Sequence, residues 1–307
     1  MKERDEFRKK VGLNNIYFSE EMENALRLYG FNTEIIPLYY RKSIVGIITN
    51  YTKKHKISLP PYLFPFYGLH INNDFLTEHP EKAIETLRLA TENQKRKFIY
   101  SLFSLSPEIT DIRAFKESGW RESVKYTYRI LRNETILKKS KIRKIKGIDD
   151  GEYTISESND TAKLYEMIVN MNSSKRRITP YNGDYLSLIF KNLHSNQRTI
   201  YGLYNSEGVC FATAFILRDK SCSYLFANAM NSKIRKTNLN LYFLYKIIKK
   251  ELDISPCFDL QGANTPSLVK FKENFNAHLI QYFHIETGLN ITGLIRLKGM
   301  LKKWSIH

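Results

Sequence analysis

The chain has little cysteine, three residues in 307. Cys210, Cys222 and Cys257 have neither the number nor the C-x-x-C spacing of a disulfide framework or a zinc site. All three sit in strand-like apolar runs, where a thiol acts as a small buried hydrophobe. His278 and His284 share the run HLIQYFHI and read as core or edge residues, so no metal is expected. No stretch approaches the roughly 18 apolar residues of a membrane span. The opening MKERDEFRKK is charged where a signal peptide carries an apolar core of about 7–15 residues. A cytoplasmic protein is therefore expected. Acid is also scarce: 31 Asp and Glu stand against 48 Lys and Arg, a net charge of +17, which favours anionic partners.

What is present is a repeat. FKESGWRESVKYTYRI from Phe115 reads against FKENFNAHLIQYFHI from Phe271 as helix end, tight turn and aromatic strand. IIPLYYRKSIVGIITNYT and TIYGLYNSEGVCFATAFIL both read as strand, polar turn and β-branched strand, the hairpin signature. The offsets of the two echoes are nearly equal, so a unit of about 150 residues is duplicated, the size of a domain rather than of a solenoid repeat. With 42% hydrophobic and 13% aromatic residues there is enough apolar surface for two cores. Residues 1–134 and 135–307 are the expected domains.

Each unit mixes helices and hairpins. SEEMENALRLYG has Ser19 as N-cap, Met22, Leu26 and Tyr29 on one face, and Gly30 as stop. PPYLFPFYGLHI holds too much proline for regular structure. The second unit runs helix, polar loop, helix, hairpin, strand SYLFANAM, helix Leu239 to Lys250, strand CFDL, helix and strand. The class expected is α/β or α+β, with mixed, largely antiparallel sheets flanked by helices.

Basic charge concentrates in KKSKIRKIK, Lys138 to Lys146, where the first unit hands over to the second. This is either a solvated connecting helix or a face for a polyanion such as tRNA. Further on, R-K-T-N-L-N (Arg235, Lys236, Thr237, Asn238, Leu239, Asn240) opens a helix, and the free N–H groups of a helix start attract anions.

The spacing of that turn resembles the R/Q-x-x-G-x-G/A loop that grips the pyrophosphate of coenzyme A in GNAT acyltransferases, with Asn238 and Asn240 in the glycine positions. The order S-Y-L-F-A-N-A, R-K-x-N-L-N, C-F-D-L-Q-G-A-N and L-V-K-F-K-E-N-F-N-A resembles the Fem-type branch of that superfamily. Members read Y-Y-L-Y-G-A-S, R-K-x-G-x-N, Y-D-F-x-G and F-K-x-x-F-G-G there, and carry two tandem GNAT domains. The resemblance covers nearly the whole chain in organisation and is motif-specific from about residue 120.

The resemblance implies transfer of an acyl or aminoacyl group, from acyl-CoA or aminoacyl-tRNA as co-substrate, to an amine of a cell-envelope, polysaccharide or peptidoglycan precursor. No permanently bound cofactor is implied. A lipid-linked acceptor would bring the protein to the inner face of the membrane. Arg235, Lys236, Thr237, Asn238, Asn240 and Asn264 are the donor-binding candidates. Asp259, an acid in an apolar strand, is the catalytic candidate, with Asn228 and Tyr224 beside it; Gly262 would allow close backbone approach. Arg176, Arg177, Tyr181, Lys270 and Lys272 are the substrate-binding candidates. Where many GNAT enzymes have a tyrosine that protonates the leaving thiolate, Phe271 has no hydroxyl. A non-catalytic, RNA-binding or structural protein on a degenerate GNAT fold is the alternative, and the oligomeric state is not readable.

Overall fold

Ser19 opens the first helix of the computed structural model, which describes residues 15–53, 56–148, 152–234 and 237–288. The Ser19 Oγ accepts the Met22 N–H at 3.1 Å. The chain leaves the helix at Gly30, where φ is 99°, a left-handed position that disfavours any residue with a Cβ. Met22, Ala25 and Leu26 of this helix are buried.

In chain order the elements are α1 (Glu20–Leu28), β1 (Asn32–Tyr40), β2 (Ser43–Thr52), β3 (Ile57–Ser58), β4 (Leu69–Ile71), α2 (Asn73–Glu78), α3 (Pro80–Lys97), β5 (Tyr100–Ser104), α4 (Arg113–Glu117) and β6 (Arg121–Leu131). Then come α5 (Lys139–Ile145), β7 (Tyr153–Ser158), α6 (Thr161–Ser173), α7 (Gly183–Asn192), β8 (Arg198–Asn205), β9 (Cys210–Arg218), β10 (Ser223–Met230), α8 (Leu239–Ile254), β11 (Cys257–Asp259), α9 (Pro266–Lys272) and β12 (His278–Gly288). Both echoed hairpins form, β1 with β2 and β8 with β9. The short elements β3, β4, α2 and β7 have no counterpart in the sequence reading. None of the described helices is long and apolar enough to cross a membrane.

β1, β2 and β4 make a small sheet; the other nine strands make one sheet in the order β3-β5-β12-β6-β11-β10-β9-β8-β7. Strands from both sides of the 134/135 boundary therefore share it. The two copies of the echoed strand, β6 and β12, lie side by side, antiparallel from Arg129↔His278 to Arg121↔Glu286. The last described strand thus sits between β5 and β6 of the first half.

Alternation divides the apolar side chains between the two faces. Phe215 and Leu217 of β9 join a cluster with Leu164, Tyr185 and Leu186 from α6 and α7, while Ala214 and Ile216 join one with Leu244 and Ile248 of α8. In β10 a register shift between Leu225 and Ala227 breaks this period, so Phe226 and Ala227 both belong to the first cluster. Such a bulge bends a strand and re-aims its side chains. β10 pairs with β11 only at Ser223↔Phe258 and Tyr224↔Asp259. Beyond those residues the strands share no pairing, and a gap opens between them.

Candidate active site

The gap leads into a cavity of about 890 Å³ lined by β10, the 260–262 loop that follows β11, the start of α8, α9, α5 and α6. Lys141 and Lys144 of α5, Lys175 after α6 and Lys272 of α9 line it, and none of the described lining residues is Asp or Glu. Its remaining walls are largely apolar, with Leu225, Phe226, Leu244 and Phe271 among them. Low-polarity walls strengthen each charge they surround, so the arrangement favours an anion. Among the described residues no group of three or more His, Cys, Asp or Glu is placed to hold a metal ion.

The start of α8 forms one wall. Thr237 Oγ1 donates to the Ile234 carbonyl at 2.8 Å and accepts the Leu239 N–H at 3.2 Å. Asn238 is the N-cap residue but makes no side-chain cap bond. Asn240 is only 4% exposed, and neither its Oδ1 nor its Nδ2 has a hydrogen-bond partner among the described residues. A buried amide left unpaired costs about 1–3 kcal/mol, a cost that a polar ligand in the cavity would relieve. Arg235 and Lys236 lie outside the described residues.

Lys272 is turned inward. Its Nζ donates to the carbonyls of Leu260 at 2.7 Å, Gly262 at 3.0 Å and Gln261, so all three ammonium protons are engaged. These bonds hold a loop in which Gln261 and Gly262 have φ of 53° and 48°; the positive φ is the physical reason for glycine at 262. Burial pulls the Lys272 pKa down to about 8, against the opposing pull of Asp259. Tyr282, also at the cavity, is pushed up to about 12 by burial and keeps its phenolic proton at neutral pH. His284 is lowered to about 4 by burial and Lys125, so its imidazole is neutral there. Tyr181 lines the cavity, with burial raising it to about 12.

Several sequence candidates stand away from the cavity. Asp259 is 0% exposed and fully engaged: it accepts from Arg129 Nε at 2.9 Å, the Gln261 N–H at 2.8 Å and the Thr127 hydroxyl. Burial opposes the charge on Arg129, but Asp259 and Glu108 hold its pKa above the ordinary arginine value. Tyr224 is packed against Tyr17, ring centroids 5.3 Å apart. Asn264 mimics a strand residue, accepting the Tyr126 N–H at 2.9 Å and donating to the Tyr126 carbonyl at 3.1 Å. Arg176, Arg177 and Lys270 are exposed. None of these six is a lining residue, whereas Asn228, Thr237, Asn238, Asn240, Tyr181, Gly262 and Lys272 converge on the cavity. Sequence reasoning missed Tyr282, His284 and Lys175 as site residues. For Lys141 and Lys144 the basic run was the available signal, though it did not reveal which side of α5 meets the cavity.

No family model matches the chain, and no curated protein matches it in sequence. Solved structures do resemble it. FemX is 13% identical with a TM-score of 0.65, the likeness covering 96% of this chain and 98% of that one. The C-terminal domain of a putative lysylphosphatidylglycerol synthetase from Agrobacterium fabrum is 12% identical over 98% of this chain and 96% of its own, with a TM-score of 0.60. L-PGS from Bacillus licheniformis is 14% identical over 100% and 97%, with a TM-score of 0.56. The chain therefore has the fold of these structures, the Fem-type fold that the motif order implied.

Proposed function

We propose that the protein is an N-acyl or N-aminoacyl transferase whose activated, anionic donor occupies the cavity between β10 and β11 and whose acceptor is an amine on a cell-envelope, polysaccharide or peptidoglycan precursor. The observation that carries this reading is the cavity's charge, four lysines and no carboxylate among its described lining residues. The start of α8, with the unpaired Asn240 amide, suits the phosphates of acyl-CoA or of the acceptor end of aminoacyl-tRNA. The fold likeness to FemX and to a lysylphosphatidylglycerol synthetase is compatible with either donor.

Acyl transfer to an amine needs the carbonyl held beside the nucleophile, a home for the developing oxyanion, and proton transfers at both ends. Asn228 and the parted edge of β10 are the groups in position to hold the carbonyl. Lys272 keeps the 260–262 loop in shape through its three carbonyl bonds and puts a positive charge beside the reacting centre. With no carboxylate in the described lining, the neutral His284 imidazole can accept a hydrogen bond from the amine and orient it; its pKa of about 4 makes it a weak base. Tyr282 can supply the leaving group's proton in place of the hydroxyl absent from Phe271. Asp259 and Tyr224 act at one remove, holding β11 and the 260–262 loop.

The test is a binding titration against coenzyme A, acetyl-CoA, aminoacyl-tRNA and uncharged tRNA, with wild-type protein and Lys141→Glu/Lys144→Glu. A donor of this site binds the wild type saturably and the reversed-charge variant at least about tenfold more weakly, about 1.4 kcal/mol. Acetyl-CoA or aminoacyl-tRNA binding identifies the donor. Uncharged tRNA binding as well as the charged form would favour the RNA-binding reading. Equal binding by both proteins, or no binding by any compound, would remove the cavity from the mechanism.

A further inference from the structure

The paired ends of β10 and β11 carry two sulfurs that the proposed transfer chemistry does not use. Ser223 is opposite Phe258 in this parallel pair, so Cys222 and Cys257, one residue earlier on each chain, stand side by side. Cys222 directs its thiol at the Cys257 sulfur across 2.9 Å, and both are free thiols. Neighbouring strands run about 4.7–4.9 Å apart, inside the Cα separation of about 4.4–6.8 Å that a disulfide spans. Cys222 is 2% and Cys257 8% exposed, so Cys257 is the sulfur an oxidant meets first. On the far side of this point the pairing lasts only through Tyr224 and Asp259, and the next residues of both strands line the cavity.

We propose that Cys222 and Cys257 are an oxidation site, a dithiol that peroxide closes to a disulfide and that thereby clamps β10 to β11 at the narrow end of the gap. Peroxide transfers one oxygen to the Cys257 sulfur, giving a sulfenic acid and one water. The Cys222 sulfur then attacks that sulfur; the S–S bond forms, the S–O bond breaks, and hydroxide leaves with the Cys222 proton as a second water. The two thiols lose two electrons and the peroxide gains them, and a dithiol reductant reverses the change by exchange. The third thiol, Cys210, is on β9 against the Met167 sulfur at 3.5 Å and takes no part. The site is independent of the transferase reading, because it needs only the strand pair.

The experiment treats the folded full-length protein with hydrogen peroxide, unfolds it in denaturant with an alkylating agent, and measures its intact mass and crosslinked peptides. The expected product has lost two hydrogens, retains one alkylatable cysteine, Cys210, and gives a peptide joining residues 222 and 257. Reduction restores all three alkylatable cysteines. The Cys257→Ser variant loses no hydrogens under the same treatment. The oxidised form melts at a higher temperature than the reduced form, returning on reduction. Three alkylatable cysteines after oxidation, or a bond that involves Cys210, would overturn the assignment, and identical melting temperatures would overturn the clamp. Peptide mapping of the wild type decides the pairing even where a serine variant fails to fold.

Discussion

His284 on β12 packs edge-on to Tyr282, ring centroids 5.7 Å apart. Burial and then Lys125 lower its pKa from 6.5 to about 4, with Glu286 opposing. Between those two values the unfolded chain binds more protons at this histidine than the folded one. Its contribution to stability is therefore fully present above pH 6.5 and is lost as the pH falls toward 4. The melting temperature of the wild type is expected to fall across that window more steeply than that of His284→Asn. Equal slopes would mean that His284 does not titrate in this way. Lys272 illustrates how differently two lysines on one short helix can be placed: Lys270 is exposed, while Lys272 is buried and bound to three carbonyls.

The contact between β6 and β11 depends on more than its ladder, which has only Cys257↔Leu131, Phe258↔Ile130 and Asp259↔Arg129. Asp259 strengthens it by bonding Arg129 and Thr127 of β6 with one carboxylate, and the same carboxylate holds the Gln261 N–H where the chain leaves the strand. A broken buried ion pair leaves a charge without a partner. Arg129 keeps 18% of its side-chain exposure, which softens that penalty. Asp259→Ala is expected to lower unfolding free energy by about 3 kcal/mol in a denaturant titration. A loss below about 0.5 kcal/mol, the range of an ordinary surface change, would show that the tie does not hold the strand. The β10 bulge, in that strand's ladder with β9, falls just past the last residues that pair with β11.

Across the molecule the nine-stranded sheet binds the halves together, since β12 takes its partners β5 and β6 from the first half while β6 also pairs with β11. A fragment of residues 1–134 would leave β5 and β6 without the strand between them, exposing backbone groups and apolar side chains together. The fragments 1–134 and 135–307, made separately, are expected to show no cooperative thermal transition and to recover one when mixed. A cooperative melt and a monomeric elution volume for either fragment alone would sink that expectation. Most of the 21 helices and strands among the described residues were visible as local patterns, because period-2 and helical spacing are properties of neighbouring residues. The strands β4 and β7 were not, being a three-residue strand inside a proline-rich run and a largely exposed strand at a sheet edge.

The amino-acid sequence was sufficient for the class of fold, the hairpins, the motif order and the basic character, all of which are written in composition or in short-range spacing. Tertiary structure alone decided where each polar side chain went. Asp259 looked like a base or a substrate-positioning carboxylate because an ionised group in an apolar strand needs a partner or a function, and the partner came from β6, 130 residues earlier in the chain. Lys141 and Lys144 read as part of either a solvated connecting helix or a face for a polyanion, and the packing of α5 beside α8 made them a cavity wall. Tyr282 and His284 looked like ordinary strand residues until β12 was inserted between β5 and β6. Local spacing sets which way a side chain points from its own strand or helix; what it meets there depends on contacts between distant parts of the chain, which no window of sequence contains.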